Sequence, residues 1–260
     1  MKRSTVSFAR ISRVVFSVGV AALIGSLAVP TAASTISLNT PTGLNPGDRF
    51  RIAFVTGTTT TGSSTDITSY NLFVNTAAGG ATYNGSAVTF YAIGSTATVN
   101  AYDNIHSTTM NDPVYLAGGA LVAPSITGAN GLWSGALVNR IATDIDGTVV
   151  SPDGGGSDRV VYTGSLVDGT ASSEPLGYFN PGRPPLQPAI FQASIGQATG
   201  GTDAAWIRDG GGSTASFSRS LYGISETLTV ASVPEPSTYA MALAGLACGG
   251  YSLFRRRQRA

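Results

Sequence analysis

The residues equipped for chemistry are few. His106, in Asp-Asn-Ile-His-Ser-Thr, is the single histidine of the 260-residue chain, and Cys248 is its single cysteine. A lone imidazole lacks the further nitrogen or sulfur ligands of a transition-metal site, and a general base needs a positioned partner. His106 therefore reads as a surface or turn residue. No Gly-x-Ser-x-Gly elbow occurs, so Ser134-Gly135 and Gly164-Ser165 read as turns. Asp144-Ile145-Asp146-Gly147, followed by Asp153 and Asp158, gathers the oxygen ligands a hard cation takes. It lacks the spaced ligand series and closing glutamate of an EF-hand and reads as a solvated turn. The residues imply no catalytic group, no metal and no cofactor. The alternative is a secreted hydrolase using paired carboxylates near 144–158 or 203–209.

The two ends carry clearer signals. Lys2, Arg3, Arg10 and Arg13 precede an apolar stretch from Val14 to Val29 and a small-residue site at Thr31-Ala32-Ala33, the layout of a secretory signal peptide over residues 1–33. From 233 to 260 three parts follow in order: Pro234-Glu235-Pro236, an apolar run from about Tyr239 to Phe254, and the basic cluster Arg255, Arg256, Arg257 and Arg259. Two prolines forbid helix and ladder pairing, so the tripeptide is expected to be extended and accessible. The apolar run is near the minimum length for a transmembrane helix, and the arginines would be retained on the cytoplasmic side. Gly245, Gly249 and Gly250 weaken that helix, which suits a transient signal better than a permanent anchor.

This order of parts resembles the PEP-CTERM sorting signal of Gram-negative bacteria, a tail that also carries the label of an ice-binding protein C-terminal domain. The resemblance implies export through the Sec machinery and a precursor held in the inner membrane by its C-terminal helix. Processing by an exosortase, a Cys-dependent transpeptidase-like membrane enzyme, would then deliver the protein to the cell surface or extracellular matrix. Such proteins are associated with exopolysaccharide and biofilm. The expected function is thus a non-enzymatic structural or binding module, with exopolysaccharide or matrix proteins as further partners.

Residues 34–232 form the exported part, and its composition is masked by the ends. The whole chain has a formal charge of +1, but four cations lie in each terminal segment. Seven arginines against fourteen acids leave −7 over residues 34–236, without a lysine. Such a surface argues against nucleic acid as a partner. The only cysteine lies in the tail, so the body carries no disulfide, and about 200 residues suffice for one unstapled core.

Within the body, Phe50, Ile52 and Phe54 alternate with Arg49, Arg51 and Ala53, which predicts a half-buried strand over 49–56. Ile67, Tyr70, Phe73, Val74 and Ala77 recur at helical spacing between a cap at Ser64 or Thr65 and the stop at Gly79-Gly80. Val88–Ile93 reads as a strand, Asn84-Gly85 as a tight turn and 113–123 as a hairpin around Gly118-Gly119. Arg159–Thr163 is a strand, 168–216 is mostly loop anchored by Phe179, Phe191 and Trp206, and Leu221–Val230 closes as one strand. The threonines at 58–61 read as a flexible loop.

The order PVYLAGGALV, GLWSGAL, IATDIDG, VVYTGSLVDGT, Trp206 and SLYGIS resembles the endostatin module of collagens and related bacterial domains. That resemblance implies a C-type-lectin-like fold. In it, Glu174-Pro175-Leu176 and Trp206-Ile207-Arg208-Asp209 would fall where sugar-binding relatives hold calcium, although both lack the usual asparagine. The fold expected is an α+β, β-rich single domain of this kind, with an all-β sandwich as the alternative and a C-terminal transmembrane helix in addition.

Overall fold

A computed structural model describes residues 35–107, 111–151, 159–182, 188–210, 212–232, 240–248 and 255. The body opens with β1 (Arg49–Val55), β2 (Thr60–Thr61) and helix α1 (Ile67–Ala77). The short strands β3 (Thr82–Tyr83), β4 (Ser86–Ala87) and β5 (Phe90–Ala92) precede the single turn of helix α2 (Ala101–Asn104). A hairpin of β6 (Val114–Leu116) and β7 (Leu121–Ala123) leads to β8 (Val160–Tyr162), β9 (Tyr178–Asn180) and β10 (Ile190–Gln197). The last strands are β11 (Gly212–Thr214), β12 (Ser218–Arg219), β13 (Tyr222–Ser225) and β14 (Leu228–Thr229). The protein is β-rich, with few helices and several sheets.

The main sheet runs β5-β13-β1-β6-β7, and β14 also pairs with β1. The first long strand is thus held antiparallel by the chain's last strands and parallel by β6. This explains the first departure from expectation: β1 is not half-buried. Phe50, Ile52 and Phe54 enter one core with α1, while Ala53 and Val55 enter a second core with Ile105, Leu132, Trp206 and Tyr222. Both faces of the strand are covered, as befits a central strand.

Arg51 has the parity of Ala53 and Val55, so its side chain is buried too, with no exposed surface. The pairing explains why a cation is there. Ala53 lies opposite Ile224 and Phe50 opposite Leu228. Three residues on the far side therefore meet two on β1, a bulge at Glu226-Thr227 opposite Arg51. The guanidinium Nε donates to the Ser225 carbonyl and Nη1 to the Ile105 carbonyl, each at 2.6 Å. Arg51 thereby ties the bulge to the end of α2. Burial pulls its pKa down to about 10, against the raising pull of Asp112, and it remains charged at neutral pH.

Helix α1 forms where the periodicity placed it, one residue later. Its cap is Asp66, whose carboxylate accepts from the Thr68 amide at 2.9 Å. Gly79 and Gly80 end it with positive φ. Asn71 and Asn75, one turn apart, bond to Ala92 and Phe90, alternate residues of edge strand β5. The helix thus uses side-chain amides to satisfy an edge that would otherwise invite another chain.

The stretch 168–216 is not mostly loop. It holds β10, the longest strand, flanked by β11 on one side and by β9 and β8 on the other. Its sequence hides this because Ala193, Ser194 and Gly196 replace the branched residues of a typical strand. Gly196 must be small: a Cβ there would run into the Trp206 carbonyl. Of the three expected anchors only Trp206 is buried; Phe179 and Phe191 are 52% and 40% exposed and meet edge-on at 5.3 Å. Nor is 221–230 one strand, since the bulge divides β13 from β14. Thr60–Thr61 is not free loop either, because it pairs with β12. The turn at Asn84-Gly85 and the hairpin over 113–123 form as expected.

Residues 240–248 are helical and exposed. Nine residues span about 14 Å, about half of a bilayer's hydrocarbon core, and among the described residues no helix is long and apolar enough to cross a membrane. The rest of the expected span, Tyr239 and 249–254, lies outside the described residues, as does the expected signal peptide.

Candidate functional site

The acidic turn is built from Asp144-Ile145-Asp146-Gly147-Thr148, closed by pairing of Thr143 with Val149 and by Gly147 at φ 87°. The Thr148 amide donates to Asp144 Oδ1 at 2.9 Å and to Asp146 Oδ1 at 2.8 Å. The two carboxyls are therefore drawn together over one N–H. Partial burial, with the Asp146 carboxyl beside it, pushes Asp144 up to about 6. The Asp144 carboxyl and Thr148 donate to Asp146 and bring it down to about 2. Between those values the pair holds one proton. Asp153 and Asp158 lie outside the described residues, and among the described residues no group of three His, Cys, Asp or Glu side chains could hold a metal ion.

Asp144 is thus an acid with a raised folded-state pKa. Its contribution to stability is complete below about pH 4, where the unfolded group titrates, and is lost as pH rises through 6. Asp144→Asn is expected to raise stability at pH 7 and to flatten the profile between pH 4 and 6, read from urea midpoints at a series of pH values. An unchanged profile would show that the pair does not share a proton.

His106 is exposed at φ 57°, with its ring edge-on to Tyr91 at 5.0 Å. It sits in the turn after α2. Trp206 and Tyr162 are fully buried, and Tyr162 donates its hydroxyl to the Thr214 and Phe217 carbonyls. These two aromatic residues belong to the cores. Trp133 is partly buried and stacks on Trp206 at 6.3 Å, while its Nε1 donates to Ser107.

The Glu174 and Asp209 carboxylates do not converge. Asp209 accepts from Gln197 Nε2 at 2.6 Å. Glu174 instead reaches across β10 to lie against Gly212, whose strand partner is Ser194. Ser194 and Gln197 are three residues apart on one strand, so these carboxylates occupy opposite faces. Chelator is accordingly expected to leave the melting temperature of the folded body unchanged; a large drop on adding EDTA would reinstate a structural calcium site.

The tail has a described portion and an undescribed one. Arg255 is helical and exposed, Cys248 is a free and exposed thiol, and Pro234, Glu235, Pro236, Arg256, Arg257 and Arg259 lie outside the described residues. No curated protein matches the chain. The family model described as the PEP-CTERM protein-sorting motif matches residues 232–258. The match covers the tripeptide, the apolar run and three of the four tail arginines, and it implies export, a membrane-anchored precursor and an exosortase as processing partner. The C-terminal segment of this chain is a PEP-CTERM protein-sorting motif.

Proposed function

We infer that the protein is an exported, exosortase-processed component of the cell surface or extracellular matrix, and that its body is a non-enzymatic binding or structural module. The motif over residues 232–258 carries the reading. In it, Pro234-Glu235-Pro236 is the processing signal, and Arg255, Arg256, Arg257 and Arg259 hold the precursor on the cytoplasmic side until the helix is released.

The body suits that destination. Seven arginines against thirteen acids over residues 34–232 leave it at −6, which keeps it solvated and apart from anionic lipid and nucleic acid. The cores close without disulfides, and α1 seals the sheet edge. Pairing of the first long strand with the last two, helix α1 after β1 and β2, and a second core on the far face of the main sheet support a C-type-lectin-like arrangement. Exopolysaccharide or a matrix protein is the partner of this body.

Fractionation of producing cells tests this. The mature protein is expected in the matrix fraction of wild-type cells and in the membrane of cells lacking the exosortase. Equal amounts in the culture medium with and without the enzyme would overturn the reading.

A further inference from the structure

The chain leaves the folded body at a defined point. The Val230 amide donates to the Asp48 carbonyl, and the Gly47 amide donates to the Val230 carbonyl, each at 2.9 Å. Pro234 follows four residues later, and the apolar run starts near Tyr239, nine residues later. Fully extended, these two stretches span at most about 14 Å and about 32 Å. A body of about 200 residues is about 40 Å across. The end opposite Val230 therefore cannot be turned to the membrane. An enzyme that encloses Pro234-Glu235-Pro236 holds the tripeptide within about 14 Å of Val230. A globular enzyme is wider than this, so enzyme and body touch.

A groove of about 250 Å³ opens beside this exit, between β4 and β14. It starts where the pairing of β5 with β13 ends. There the Thr89 amide donates to Glu226 Oε1 and the Glu226 amide to the Thr89 carbonyl, and beyond them the two segments diverge. Each wall is a strand paired on one side. β4 pairs with β3, whose far side is taken by Ile36 and Leu38, and β14 pairs with β1. Val230 turns its backbone groups to β1, so Thr229 turns its own away from β1 and into the groove. The Val88 amide turns inward to the Ala81 carbonyl, so Ala87 likewise faces the groove. Ser86, Ala87 and Thr229 are exposed. Among the described residues no side chain closes these two edges, unlike the β5 edge with its Asn71 and Asn75.

We propose that this groove is the docking surface for the exosortase, which lays an extended segment of its own chain between β4 and β14 and bonds the backbone groups of Ala87 and Thr229. The inference rests on the reading of the tail as an exosortase-processed signal and names where that enzyme grips the body. Strand addition draws its affinity from main-chain bonds, which the two open edges supply. The contact lies next to the tripeptide in the chain, so weak binding of three residues is reinforced by a second, linked contact. Over a tether of about 14 Å that second contact forms at high effective concentration. The opposite end of the body, where Gly62 beyond β1 bonds Gly177 close to Phe179, takes no part.

The test uses the full-length precursor in producing cells. A benzophenone probe in place of Ser86 is expected to cross-link to the exosortase in cells where the enzyme's active cysteine is replaced and precursor persists. A probe in place of Phe179, at the far end of the body, is expected to give no such product. Ala87→Pro and Thr229→Pro each delete one groove-facing amide without touching the bonds to β3 or β1. Each is expected to slow processing about three- to tenfold in a pulse-chase, the effect of one lost hydrogen bond. Ala87→Gly and Thr229→Ala keep the amide and are expected to be processed at the normal rate. Melting curves of the variants confirm folding. Cross-linking from Ser86 only within the chain or to a second copy, equal cross-linking from Phe179, or normal rates in both folded proline variants would each overturn the proposal. If docking fails these tests while alanine in place of Pro234, Glu235 and Pro236 still blocks processing, the docking surface is wrong and the sorting reading stands.

Discussion

Arg51→Met is expected to destabilise the body by about 2–4 kcal/mol, the cost of orphaning two buried carbonyls, with the upper end reached if the bulge rearranges. Among the described residues the guanidinium is the only side chain that donates to the Ser225 and Ile105 carbonyls, and it reaches both at 2.6 Å. One opposing effect is present. Nη2 is buried without a partner, so removing the cation also relieves a desolvation cost. The two lost bonds outweigh one unsatisfied nitrogen. Arg51→Lys separates the contributions, since an ammonium keeps the charge but lacks the planar fork that reaches two carbonyls at once. It should lose nearly as much as the methionine variant. Arg49→Ala is the reference: its ion pair with Asp112 is 3.3 Å long and half exposed on the arginine side, worth less than about 1 kcal/mol. Urea denaturation of the three variants is the measurement, and a loss below that of Arg49→Ala would show that the bulge does not depend on Arg51.

Replacing Pro234, Glu235 and Pro236 together by alanine is expected to abolish processing and leave a membrane-retained precursor. Three alanines favour helix where the two prolines forbid it, so the apolar helix would extend back through the signal and bury or distort the segment the enzyme must grip. The charge of Glu235 is lost at the same time. The body contributes nothing to this outcome, so its folding should be unaffected. Immunoblots of membrane and released fractions read the result; normal release of the triple variant would remove the tripeptide from the signal. Replacing Arg255, Arg256, Arg257 and Arg259 by glutamine tests the other end, where the expected defect is loss of retention before processing rather than loss of cleavage.

The sequence was most legible where one short segment decides the outcome alone. Helix α1 and the turn at Asn84-Gly85 follow from local spacing and turn chemistry, and the sorting signal follows from three parts in fixed order. What depends on distant chain was hidden. Arg51 looks like a solvent-facing residue of an alternating strand, and only the bulge 175 residues later in the chain makes it a buried tie. Strand β10 reads as loop because its small residues are chosen for the Trp206 segment lying on it, not for intrinsic strand propensity. Phe179 and Phe191 look like core anchors because hydrophobicity gives no warning that their hairpin runs past the core. Glu174-Pro175 and Trp206-x-x-Asp209 suggested one shared site, but only the pairing of β10 shows that their carboxylates occupy opposite faces.

The most direct test of the account is the intact mass of the protein released by producing cells, compared with the same protein in cells lacking the exosortase. The released chain is expected to end between residue 232 and the arginine cluster, with an uncleaved C-terminus in the membrane of the enzyme-deficient cells. A released chain that still carries Arg259, or the same shortened product without the enzyme, would contradict it.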